Sequence, residues 1–345
     1  MEQNVALGPV RGTVMEIRRE VVGNTAGHAA QPPAEVSAYT LDTGAGLAVT
    51  VWTYGATLVE VCVPDRAGRA ANVTRRLTDL ASYQDRERNP YLGAVLGRFC
   101  RCVSGGRFRL GGVDHVLDRN DGPHHIHGGS VGFDRFVWAA EASHVADALA
   151  VRLRLTRPDG DQGYPGAVTA EVTYTASPDL RLALEYRAVT TASTILGLTS
   201  HAFWNLAGGG SIANHLLAVN ASRRIPLDAE LIPLPGPPVA VGGGRLDYRV
   251  SRPVGDDRLD DFFVLDDPAW AAELHEPTSG RTMRILTDQR GLGVYSGDRL
   301  DPPRTGLCLQ ASGWPDAPNR PDYPPCRLDP GEVYRRRTVH EFTIC

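Results

Sequence analysis

The chain has no lysine: all 36 of its cationic side chains are arginines. Without a side-chain primary amine, Schiff-base chemistry and catalysis by a lysine base are excluded. Cysteine is sparse too. The six cysteines, Cys62, Cys100, Cys102, Cys308, Cys326 and Cys345, form no Cys-x-x-Cys pair and are too dilute for a disulfide scaffold, so a reducing cytoplasm is the expected compartment. No apolar run approaches the roughly 18 residues of a membrane span, and residues 1–13 carry neither a basic leader nor a long apolar core. The expectation is a soluble, cytoplasmic protein. Excess positive charge is also missing. A net charge of −4 and a pI near 6.2 argue against nucleic-acid and anionic-membrane partners and suit small neutral ligands.

Nucleotide motifs are absent as well: there is no P-loop and no Gly-x-Gly-x-x-Gly fingerprint after a strand. His127-Gly128-Gly129-Ser130 has the look of an oxyanion loop, yet no Gly-x-Ser-x-Gly elbow accompanies it, which removes the nucleophilic-hydrolase route. Neither a cofactor nor a metal is expected.

What the sequence has in abundance is alternation. Leu47, Val49 and Val51, then Val59, Val61 and Val63, then Val151, Leu153 and Leu155, then Leu180, Leu182, Leu184 and Tyr186 follow a period of two, the pattern of half-buried strands. Turn signals at Pro64–Gly68, Ser104–Gly106, Pro158–Asp161 and Gly242–Gly244 separate these runs. Long amphipathic helices are missing, which excludes a doubly wound α/β fold, and the one helical stretch lies around Leu77 to Asp85. The expected fold is all-β, a large antiparallel sandwich. Residues 1–35, ending in Gln31-Pro32-Pro33, read as an N-terminal extension with one strand at Thr13–Val22, and 36–345 as a single domain.

Three histidines fall in the segment Asn120–Gly129, beside a glycine pair that lets backbone approach a ligand. His125 and His127 share a face if extended, which admits a metal, but no second cluster at ligand spacing supports one; a surface turn with hydrogen-bonded histidines is the plainer reading. In Leu198–Gly208, His201 is either a satisfied core group or part of a sugar platform with Trp204, since pyranose C–H faces pack on aromatic rings. Arg101 and Asp260 are a donor and an acceptor for sugar hydroxyls, or else solvated charges. Cys100 and Cys102 read as packing residues on one strand face.

Taken in order, these segments resemble the aldose 1-epimerase (galactose mutarotase) family from about Tyr39 to the C-terminus. The resemblance rests on Tyr54-Gly55-Ala56-Thr57-Leu58, Pro64-Asp65-Arg66, Tyr91-Leu92-Gly93-Ala94, Gly97-Arg98, His127-Gly128-Gly129 with Gly132-Phe133-Asp134, Gly163-Tyr164-Pro165-Gly166 and Trp314–Asn319. It implies a β-supersandwich with an open cleft for a hexopyranose and no cofactor. It also implies roles: His201 the general acid, His127 a second histidine near the ring oxygen, Arg101 a hydroxyl donor and Asp260 an acceptor for hydroxyls. The family's base is a Glu in a Cys-Leu-Glu segment, where this chain has Cys308-Leu309-Gln310. Cys100 stands where the family has an Asn before the active-site Arg, Gly293 where a Gln is frequent, and Asp261-Phe262 replace a His-Asn pair. An amide takes no proton at neutral pH, so the resemblance implies an enzyme of this family working by histidine acid–base chemistry on a sugar or another cyclic, oxygen-rich substrate. Two alternatives stay open: a genuine aldose 1-epimerase, and a non-catalytic carbohydrate-binding protein.

Overall fold

The computed structural model describes residues 14–267 and 270–345; residues 1–13 of the expected extension lie outside the described residues. The alternating runs form strands, and the strands pair antiparallel in three main sheets. The first is a five-stranded meander of Glu16–Asn24, Glu35–Asp42, Ala48–Trp52, Thr57–Pro64 and Ala70–Asn72, in that order. The strand expected at Thr13–Val22 is thus the edge strand Glu16–Asn24, paired along its length with Glu35–Asp42.

The second sheet has nine strands. Ala139–Val145, Ala148–Arg157, Val168–Ser177 and Arg181–Thr190 run as consecutive hairpins, and the C-terminal strand Tyr334–Ile344 then inserts beside Arg181–Thr190. Leu180, read above as part of a strand, sits in a left-handed turn at φ 59° just before it. The α-helix near Leu77 is a single short turn, Leu80–Gln84, capped by the Asp79 carboxylate, which accepts from the Ser82 N–H.

The third sheet, of six strands, positions the site. Its order is Phe203–Trp204, Leu307–Ser312, Gly291–Tyr295, Asp260–Val264, Arg223–Ile225 and Val239–Ala240. Successive side chains of a strand point to opposite faces. Leu307, Leu309 and Ala311, with Leu292, Val294 and Phe263, join the main hydrophobic core shared with Val49, Val151, Val172 and Leu184 of the other sheets. Cys308, Gln310, Gly293, Tyr295 and Asp260 are left on the other face, where they line a cavity.

Candidate active site

Cross-strand register arranges that open face in two rows. Asp260 pairs with Tyr295, Tyr295 with Cys308 and Cys308 with Phe203, while Phe262 pairs with Gly293 and Gly293 with Gln310. The second row has a gap at Gly293, and the Arg101 guanidinium fills it. A Cβ on Gly293 would lie 2.5 Å from Arg101 Nη1. The same Nη1 donates to Gln310 Oε1 at 2.9 Å, and the guanidinium carbon stands 5.0 Å from the centre of the Phe262 ring. A glycine inside a strand marks a close approach of this kind.

Above the sheet lies a concave cavity of about 470 Å³, lined among others by Arg101, His127, His201, Asp260 and Gln310. Five of the residues singled out in the sequence therefore share one groove. Cys100 and Trp204 do not belong to it. Cys100 is buried, its N–H donating to the Gly197 carbonyl and its sulfur packed against Gly197. Trp204 is the inward half of a two-residue strand and packs on His340 at 4.7 Å; its neighbour Phe203 takes the cleft face. The aromatic ring that reaches the cleft is therefore Phe203 and not Trp204, the one expected there.

The two histidines meet at the floor with ring centres 5.3 Å apart. His127 has φ 55° and Arg101 φ 78°, both left-handed, and they clamp one another. The His127 N–H donates to the Arg101 carbonyl, and the Arg101 N–H donates to His127 Nδ1 at 3.2 Å. A nitrogen that accepts carries no proton, so Nε2 of the neutral ring holds it. Gly128 follows because a Cβ there would lie 1.8 Å from the Gly97 carbonyl oxygen. His201 stacks on Phe203, and its Nδ1 lies 3.5 Å from Cys308 Sγ. Burial holds both imidazoles neutral: it pushes His201 down to about 4 and His127 well below its usual value, helped there by His201 and Arg101. Burial also pushes the Cys308 thiol up to about 12, so it stays protonated.

Asp260 is exposed to solvent but set in the concave wall, and partial desolvation raises its carboxyl while the Arg101 charge opposes the shift. The other histidines of the Asn120–Gly129 segment serve the scaffold or the rim. Buried His125 directs Nδ1 to the Asp118 carbonyl and Nε2 to the Tyr164 hydroxyl, and His124 pairs with Glu230 at the rim, 3.1 Å away. Among the described residues no group of three potential ligands could hold a metal ion.

Tyr91 was only a landmark in the sequence, yet its ring meets both His127, at 4.9 Å, and His201, at 6.1 Å. Arg86 covers its other side at 4.1 Å and is ion-paired with Asp134 at 2.6 Å. The Gly-Phe-Asp landmark thereby braces the histidine pair. Other landmarks are scaffold: buried Arg98 donates to the carbonyls of Pro158, Pro165 and Gly166, tying two motifs together. Asp316 receives the Ser104 N–H and donates its own N–H to the Cys102 carbonyl, fixing the segment that carries Arg101.

The fold is an antiparallel β-sandwich carrying a histidine-lined cleft. The aldose 1-epimerase family model matches residues 37–341. The galactose mutarotase of Mus musculus is 33% identical over 322 residues, covering 86% of this chain and 92% of its own. The aldose 1-epimerase of Escherichia coli is 30% identical over 331 residues, covering 88% and 94%. Among solved structures, the galactose 1-epimerase of Lactobacillus acidophilus superposes with a TM-score of 0.83 at 26% identity, covering 96% of this chain and 99% of that one. The chain belongs to the aldose 1-epimerase family.

Proposed function

We propose that this protein is an isomerase-type enzyme acting on a sugar or sugar-like ring by proton transfer between the substrate and the His201 and His127 imidazoles, with Gln310 orienting the substrate, and that ordinary mutarotation of hexoses is slow. The observation that carries this reading is the hydrogen bond from Arg101 to Gln310 beside two neutral imidazoles. Opening a pyranose at C1 requires removal of the anomeric hydroxyl proton and donation of a proton to the ring oxygen. Gln310 does neither, because an amide does not ionise at neutral pH. His127, with its proton on Nε2, is the donor. His201 is neutral, and in the tautomer whose Nδ1–H faces Cys308 Sγ it presents an Nε2 lone pair as the acceptor. Asp260, at the far side of the groove, accepts hydroxyl hydrogen bonds. The resemblance gives His201 the acid's role; here the tautomers set by Cys308 and by the Arg101 N–H, not basicity, make His201 the acceptor and His127 the donor, since burial weakens both rings as bases.

Without a carboxylate at position 310, proton removal falls to His201, a ring that burial makes a weak base; losing a well-matched general base costs about 10²–10⁴ in rate, and sugars mutarotate unaided in water. The test is the decay of optical rotation of fresh α-D-galactose and α-D-glucose. A rate at the buffer value with high protein concentration supports the altered reaction. A rate far above buffer supports the second reading, genuine aldose 1-epimerase activity, which the family membership favours.

A further inference from the structure

A guanidinium has no acceptor, so the Gln310 atom that meets Arg101 Nη1 is the oxygen, and the amide nitrogen turns away from it. That Nε2 is buried and has no hydrogen-bond partner. Arg101 itself is satisfied only in part: its contacts are Gln310 Oε1 and the Phe262 ring, and no carboxylate of the described residues is ion-paired with it. Asp260 feels its charge without bonding to it. The third group at this end of the groove, His127, carries its proton on Nε2 because Nδ1 accepts from the Arg101 N–H. Donors from the guanidinium, an amide and an imidazole therefore stand together at this end of the groove, with one positive charge among them.

We propose that the ligand is a sugar acid whose carboxylate sits at the Arg101–Gln310 end of the groove while its hydroxyls reach Asp260. This deepens the reading of the groove as a carbohydrate site and rests on it. A carboxylate accepts through two oxygens, matching the guanidinium edge and the orphaned amide N–H. It also supplies the negative charge that a glutamate at position 310 would have placed beside Arg101, and a partly buried charge left without a counter-charge is costly. A phosphate fits less well, because its nearly doubled charge faces a single guanidinium here.

Calorimetry at pH 7 with D-galactose, D-galactonate, D-galacturonate and galactose 1-phosphate tests this on the wild type and on Arg101→Gln and Gln310→Glu. One of the two acids binds about tenfold or more tightly than galactose, and that advantage disappears in both variants. Galactose binding as tightly as both acids overturns the carboxylate assignment and leaves the carbohydrate reading intact. An acid preference that survives in both variants, or stronger binding of the phosphate, overturns it as well. If neither galactose nor either acid binds, both readings fail.

Discussion

His201 owes its neutral state to burial, and a definite pH dependence follows. A ring held down to about 4 keeps its acceptor lone pair at pH 5, where an ordinary histidine is mostly protonated. Turnover is therefore flat from pH 8 to 5.5 and falls only as pH approaches 4; a half-maximal point near 6.5 in the pH–rate profile would place the working base elsewhere. His201→Ala lowers kcat by about 10²–10⁴, and full turnover in a folded variant would remove this residue from the mechanism. At this scale the histidines, Arg101, Asp260 and Gln310 were legible because short motifs carry them. Trp204 misled, because a motif does not say which parity of a two-residue strand faces the groove: Phe203 does, and Trp204 faces the core. Cys100, one residue before the active-site Arg, is buried packing as its apolar setting suggested, and its place beside Arg101 does not bring it into the groove. The use of Gly293 was hidden for a related reason. Its neighbour Arg101 lies far earlier in the chain, and only the fold brings the guanidinium over Gly293 and onto Gln310, the residue that register sets beside Gly293.

Two glycines separate the support of the site from its use. Gly128, at φ 94°, would drive a Cβ into the Gly97 carbonyl oxygen, which is backbone and cannot give way. Gly128→Ala therefore destabilises the fold by about 2–4 kcal/mol, read as a shift of the urea midpoint; an unchanged midpoint would refute this account of the His127 turn. Gly293 faces the end of a flexible side chain. Gly293→Ala accordingly leaves the urea midpoint almost unchanged but displaces the guanidinium, weakening sugar binding about tenfold; unaltered affinity would show that Arg101 is not held by this gap. The strands themselves were legible from their period-two runs. The six-stranded sheet was harder to foresee, because apart from Leu307–Ser312 its strands are too short to show a sustained alternation.

Acid should loosen the molecule before it reaches the ordinary carboxylate range. Burial depresses His201, His215 and His340 to about 4 in the folded state, while in the unfolded chain they titrate near 6.5. Between these values the unfolded state binds more protons, so stability rises with pH. It is fully present above about 6.5 and is lost as pH falls through about 4, so the thermal midpoint drops steadily from pH 6.5 to 4.5; a flat or rising midpoint over that interval would contradict the burial of these three rings. The all-β class was readable from alternation and turns alone. The order of the nine-stranded sheet was not, since Arg181–Thr190 pairs with Tyr334–Ile344 across most of the C-terminal half of the chain. The groove lies over the face of the six-stranded sheet that does not join the main core. Its chemistry turns on whether an amide at position 310 stands where proton removal requires a carboxylate. The most direct measurement is the mutarotation rate of fresh α-D-galactose with wild-type protein and with Gln310→Glu at equal concentration. The predicted result is a wild-type rate close to buffer and a rate at least about tenfold higher for the variant; a wild-type rate equal to or above that of a folded, galactose-binding Gln310→Glu would contradict it.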